Sequence, residues 1–134
     1  MFRFVLLILF ALITIRLLRY VWPVRSLSYV EASKVCELVQ LKAMKMLDVR
    51  DAVEYEKDNI RGSINISLGR LPYVWQHSLS QSDAVLILAG SYYKRNKAAR
   101  ILYKQGFRKL YAVHGDLLRK QTTFSEVWIK GCEG

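Results

Sequence analysis

Residues 84–95 read AVLILAGSYYKR. The first six are apolar without a break, the pattern of a strand covered on both faces, and such strands belong to parallel sheets. Gly90 to Tyr93 then form a loop, and a helix is predicted from about Lys94, with Ala98, Ala99, Ile101 and Leu102 facing inward. Gly106 is placed to end that helix. In open parallel sheets ligands bind outside the carboxyl ends of the strands, so the loop after this strand is the place for a site. A strand turning directly into a helix start aims backbone N–H groups at one spot and makes an anion cradle. Lys94 and Arg95 add positive charge beside it.

On the C-terminal side, Leu110 to Val113 is a further short strand, and a last helix is expected around Phe124 to Ile129. On the N-terminal side, Met44 to Val49 (MKMLDV) and Ser63 to Ile66 suit buried strands. Asp51 is placed to cap a helix through Val53, Glu54 and Tyr55, and Gly62 marks the turn after it. Pro72 interrupts an irregular or helical stretch from Leu68 to Leu79. Ser28 and Glu31 have the spacing of a capping box, which predicts a helix through Ala32, Val35, Cys36 and Val39. Strands alternating with helices imply right-handed crossovers and a small three-layer α/β/α domain.

The segment from Leu27 to Gly115 resembles a single rhodanese-like, or sulfurtransferase-like, domain. The matching residues are LSYVEA at the first helix, LDVRDAVEYEKDNIRGSINISL over Leu47 to Leu68, the strand AVLILA, KAARILYKQGF over Lys97 to Phe107, and LYAVHG over Leu110 to Gly115. Asp48, Arg50, Glu54 and Gly62 fall on positions of the family pattern, whereas Asn59 and Arg61 replace its usual histidine and proline. The resemblance implies a loop beginning with cysteine, commonly C-R-S-G-x-R. Aligned on the KAAR helix, Ala89 takes the place of that cysteine, Gly90 of the first arginine, Ser91 of the serine, Tyr92 of the glycine and Lys94 of the final arginine. The loop keeps the sulfurtransferase length and lacks the thiol.

A nucleophile in such a cradle would be a cysteine, because the helix end stabilises the attacking thiolate. Ser91 would need an adjacent base to replace it, and its ordinary role is that of a turn or cap residue. The binding loop is therefore expected to be Gly90, Ser91, Tyr92, Tyr93, Lys94 and Arg95, with the two tyrosines either plugging the old pocket or presenting a contact surface. Arg50 and Glu54, four residues apart near a helix start, are expected to form an ion pair that holds the fold.

Residues Phe4 to Ile15 (FVLLILFALITI) are uninterrupted apolar, and Phe2 to Trp22 is about the roughly 20 residues of a membrane span. Arg16 and Arg19 lie in the last turns, where long side chains reach the headgroups, beside Tyr20 and Trp22. A transmembrane anchor is thus expected over 1–23, a linker over 24–27, the domain over 28–122 and a tail or short helix over 123–134. A cleaved signal peptide and an interfacial amphipathic helix are the rival readings, the first lacking a small-x-small cleavage site. Arg16, Arg19 and Arg25 against Arg3 favour a single-pass protein of the cell membrane with a cytoplasmic domain.

The chain has 134 residues, 52% of them apolar, and a formal net charge of +10. The charge comes without a nucleic-acid motif, so a protein partner, the membrane or a small anion is expected rather than nucleic acid. Cys36 and Cys132 form no CxxC pair and no metal cluster with His77 and His114, and neither a metal nor a cofactor is expected. Cys36 is expected to be a small buried thiol on the apolar helix face. The expected function is a noncatalytic interaction or anion-binding module. The alternative is a sulfurtransferase using Cys36 or Cys132 as a displaced nucleophile.

Overall fold

The computed structural model describes residues 1–21, 24, 26–41 and 43–113. It begins with a helix α1 (Phe2–Val21), a strand β1 (Leu27–Val30) and a helix α2 (Ala32–Gln40). There follow β2 (Lys45–Asp48), α3 (Ala52–Lys57), β3 (Ile64–Asn65) and α4 (Leu71–Val74), which runs into a 3₁₀ turn at Trp75–His77. The described part closes with β4 (Val85–Leu88), α5 (Tyr92–Lys104) and β5 (Leu110–Val113). The expected last helix and the tail over 123–134 lie outside the described residues.

Five strands form one parallel sheet in the order β1-β5-β4-β2-β3. Side chains alternate across it as strand geometry requires. Val85, Ile87 and Ala89 face one apolar cluster with Leu47, Val49, Leu110 and Ala112, closed by Leu71, Trp75, Ala98, Ala99, Leu102 and Phe107 from α4, α5 and the turns beside them. Leu86 and Leu88 face a second cluster with Met46 and Val113, covered by Val35, Leu38 and Val39 of α2. β4 is therefore buried on both sides along its whole length, and the layers are α/β/α.

The capping-box expectation at Ser28 is corrected. Ser28 lies within β1, paired with Tyr111 of β5, and α2 starts after Glu31, which makes no side-chain cap. An S-x-x-E spacing carries no record of whether its serine is extended, and here the sheet edge claims the backbone of Leu27 to Val30. α5 also begins earlier than expected, at Tyr92, because Ser91 rather than a later residue is the N-cap.

The membrane anchor is the larger correction. The segment is a helix, α1, but no helix among the described residues is long and apolar enough to cross a membrane. The charge-free run from Phe4 to Ile15 spans about 18 Å at 1.5 Å per residue, against about 30 Å of hydrocarbon. Arg3, Arg16 and Arg19 bound it on both sides. The localisation expected from it, a single pass through the cell membrane with a cytoplasmic domain, is withdrawn with it. α1 instead meets the domain at its last turn: Arg100 Nη1 of α5 donates to the Tyr20 carbonyl at 3.0 Å.

Gly106 ends α5 with φ +100°, and Phe107 N–H donates back to the Leu102 carbonyl at 3.1 Å. A Cβ at Gly106 would lie 2.9 Å from Gln81 Nε2, which itself donates to the Gln105 carbonyl at 2.6 Å. Gly106→Ala is expected to lower stability by about 1–2 kcal/mol in urea unfolding, combining the left-handed backbone with displacement of the Gln81 amide. Gly69→Ala, where a Cβ meets nothing within 4 Å, is the control. A loss at Gly106 no larger than at Gly69 would refute the account.

Candidate functional site

The loop after β4 is built by three constraints. Ala89 closes the strand and is 4% exposed, packed in the first cluster. Gly90 follows with open space where a Cβ would be, so its backbone does not demand glycine. Ser91 is extended (φ −152°, ψ 159°); its Oγ accepts from Lys94 N–H at 3.2 Å and its carbonyl from Arg95 N–H at 3.0 Å. The first N–H groups of α5, at Tyr92 and Tyr93, have no acceptors within the helix, as at any helix start, and α5 begins three residues after Ala89.

The wall behind this loop is a buried ion pair. Asp48 is in register with Leu88, and Val49 N–H donates to the Leu88 carbonyl at 2.9 Å, so the end of β2 lies against the end of β4. Asp48 is fully buried and Arg50 is 7% exposed. Arg50 Nε donates to both Asp48 carboxylate oxygens at 3.1 Å, Nη2 to Oδ2 at 2.8 Å, and the Arg50 backbone N–H to Oδ1 at 3.0 Å. Nη2 also donates to the Asp58 carbonyl. Asn65 Nδ2 bridges the carbonyls of Asp48 and Arg50 at 3.1 and 3.0 Å, tying β3 to the same turn.

Arg50 was expected to pair with Glu54. Glu54 is exposed on α3, and the guanidinium turns back to Asp48 instead. The helical four-residue spacing did not apply because Arg50 lies in the bend before α3, outside the helix. Gly62 makes its turn at φ +87°, followed by Ser63, whose carbonyl accepts from the Tyr55 hydroxyl at 2.8 Å.

Both loop tyrosines are exposed, Tyr92 by 54% and Tyr93 by 39%. In this arrangement they line a surface and do not fill a cavity. Arg95 lies between two rings, its guanidinium carbon 5.2 Å from the centroids of Tyr92 and of Tyr29 on β1, a geometry in which the ring faces attract the cation. Its Nε is buried without a hydrogen-bond partner among the described residues. Tyr93 stacks on Tyr20 of α1 at 5.0 Å between centroids, with Lys97 Nζ 5.9 Å from its ring. The hydrogen bond shared by the two phenols holds Tyr93 below the usual tyrosine range and raises Tyr20, and Lys97 and Arg100 further lower Tyr93.

Tyr20, Tyr29, Lys97 and Arg100 were not foreseen as neighbours of the loop. Their sequence positions give no signal for it: Tyr29 arrives through β1, and Tyr20 was assigned to a bilayer interface. Among the described residues no group of three or more His, Cys, Asp or Glu side chains could hold a metal.

Cys36 sits on α2, across the sheet from α5, and is 6% exposed. It was expected to be a thiol. Its sulfur is instead disulfide-bonded, and a disulfide sulfur is not a thiolate nucleophile.

A doubly covered parallel sheet, a strand ending in a short loop, and a helix aimed at that end define a class of small α/β domains with a cradle at the carboxyl edge. The sequence model of the family described as Rhodanese-like domain matches residues 31–119, and this chain belongs to that family. A relative from Bacillus subtilis (strain 168), called putative sulfur carrier protein YrkF, is 36% identical over 72 residues, which cover 54% of this chain and 38% of that protein. The chain thus spans well under half the length of that relative. A Coxiella burnetii protein, thiosulfate sulfurtransferase GlpE, is 26% identical over 91 residues, covering 68% of this chain and 81% of that one. Among solved structures, the Alr3790 protein from Anabaena sp. superposes with a TM-score of 0.61 at 22% identity, over 66% of this chain and 81% of that one. The rhodanese-related protein of Thermoplasma volcanium does so with 0.54 at 23% identity, over 77% and 91%. These two likenesses concern the fold.

Proposed function

We propose that this rhodanese-like domain is a noncatalytic binding module, with Gly90, Ser91, Tyr92, Tyr93, Lys94 and Arg95 as its contact surface and a protein or small anion as its ligand. The observation that carries the reading is Ala89. It occupies a buried position between the end of β4 and the start of α5, so the place where a helix start would favour a thiolate holds a methyl group. Exposure of Tyr92 and Tyr93, set beside Arg95 and Tyr20, supports a role in contact, since paired aromatics and cations are frequent anchors of protein interfaces.

A second reading, sulfur transfer through a displaced cysteine, draws support from the names of the Bacillus and Coxiella relatives. The disulfide at Cys36 weighs against it.

The two are separated by a thiosulfate:cyanide assay on the whole chain beside Ala89→Cys and Cys36→Ser variants. The native chain is expected to show no turnover, and Ala89→Cys to acquire it, because a thiol would then stand at the end of the central strand, just before a helix start. Turnover by the native chain that disappears in Cys36→Ser would overturn the noncatalytic reading.

A further inference from the structure

We infer that the part of α5 carrying Tyr92, Tyr93, Lys94, Arg95, Lys97 and Arg100 docks an acidic segment of a partner protein. The inference rests on the binding-module reading and names the chemistry of the partner. From Ala84 to Val113 the chain has seven Lys or Arg residues and no Asp or Glu. Lys94, Lys97 and Arg100 follow one another at three-residue steps, so they share one face of α5, and Lys104 continues it. The salt bridges among the described residues, Lys45 with Asp83 and Arg50 with Asp48, lie elsewhere, and Lys94, Arg95 and Lys97 have no acidic partner among those residues. Four cations spread over about 15 Å of helix are too far apart for one small ion to neutralise. They match a chain of carboxylates.

Order distinguishes this face from a merely solvated one. Lys94, Arg95 and Arg100 are half-buried, and the Arg95 guanidinium is framed by Tyr29 and Tyr92, 5.2 Å from each ring centroid. Its Nε has no acceptor among the described residues. A cation fixed before its ligand arrives loses little freedom on binding, and a planar guanidinium suits a carboxylate. The rings are already engaged: Tyr29 and Tyr92 each give a face to Arg95, and Tyr93 meets both Tyr20 and Lys97. Nucleic-acid bases stack on free ring faces, whereas the hydroxyl of the exposed Tyr92 can donate to a carboxylate. An anionic lipid surface attracts any nearby cation and gains nothing from a framed arginine. Tyrosine beside arginine is instead the pairing enriched at the energetic centre of protein interfaces.

The test titrates the whole chain, by fluorescence anisotropy, against two labelled peptides of about ten residues, one alternating glutamate with alanine and the other alternating glutamine with alanine. The acidic peptide is expected to bind at least about tenfold more tightly than the neutral one, and less tightly as salt rises. Lys97→Glu is expected to weaken it about tenfold. Lys57→Glu on α3, the same change of net charge on another element, is expected to weaken it less than about twofold. Arg95→Lys keeps the charge, loses the planar fork and is expected to weaken binding about threefold or more. Circular dichroism checks that each variant is folded, and an Arg95→Lys chain that fails to fold leaves the comparison of Lys97 with Lys57 decisive. Equal affinity for the two peptides or equal effects of Lys97→Glu and Lys57→Glu would overturn the inference. So would tighter binding of phosphatidylserine vesicles, or of a short thymidine oligonucleotide, than of the acidic peptide. A thiosulfate:cyanide assay on the same preparation separates the two failures. Turnover by the native chain removes the binding-module reading, whereas equal peptide affinities without turnover remove this inference alone.

Discussion

Asp48→Asn is expected to destabilise the domain by about 3–5 kcal/mol, measured by urea unfolding at neutral pH. The substitution keeps the shape of the side chain and removes its charge. What remains is a guanidinium 7% exposed, with the carboxylate that accepted its Nε and Nη2 replaced by a neutral amide. An uncompensated buried charge costs far more than a lost surface pair, whose usual worth is below about 1 kcal/mol. A companion variant locates the cause. Asp48→Leu with Arg50→Met removes both charges together and is expected to recover a large part of the loss, though not all, since Arg50 also serves the Asp58 carbonyl. A single variant within about 1 kcal/mol of the parent would show that water reaches the guanidinium and that the pair is not a structural wall.

Phe107→Ala is expected to cost a similar amount, about 3–5 kcal/mol by the same measurement. Phe107 is fully buried and meets Trp75 edge to face, with centroids 5.1 Å apart and planes at 78°. It sits just past the Gly106 turn, so it fastens the end of α5 to the 3₁₀ turn on the same sheet face. Truncation forfeits the ring's burial, the aromatic contact and the close packing of Leu102 and Leu71 around it. Phe107→Leu, which refills much of the volume, is expected to lose markedly less. Equal losses in the two variants would mean that the aromatic geometry, rather than the cavity, dominates. Against a total stability of roughly 5–15 kcal/mol for a domain, either alanine or asparagine variant approaches the unfolding threshold.

The sequence was most informative where burial is complete. AVLILA named β4 because both faces of that strand are covered, and Gly106 named the end of α5 because a positive φ demands glycine. It was least informative where partners come from far along the chain. β1 is an edge strand whose exposure alternates without a fully apolar run, so its four residues read as the approach to a helix. Asp48 and Arg50 were both picked out, yet their bond to each other was not, since a two-residue spacing across a strand end and the bend after it has no periodic signature. The loop residues Gly90 to Arg95 could be located from strand and helix alone. That Tyr20 and Tyr29 frame them depended on tertiary structure. Apolar content misled at α1, where the length between charges mattered more than mean hydropathy.

The strand order also imposes a schedule on assembly. β1 precedes the other described strands in the chain, but among them its only neighbour in the sheet is β5, with Leu27 opposite Leu110. Until β5 has been synthesised, β1 has no backbone partner among the described strands and β4 lacks one of its two. The β2–β4 pair and its helices can form first, leaving an open hydrogen-bonding edge on the most apolar strand of the chain. An unfinished sheet of that kind is prone to recruit strands from other molecules. The period between completion of β4 and arrival of β5 is therefore when a nascent chain is most vulnerable to aggregation, and pairing β5 with β4 on one side and β1 on the other ends it.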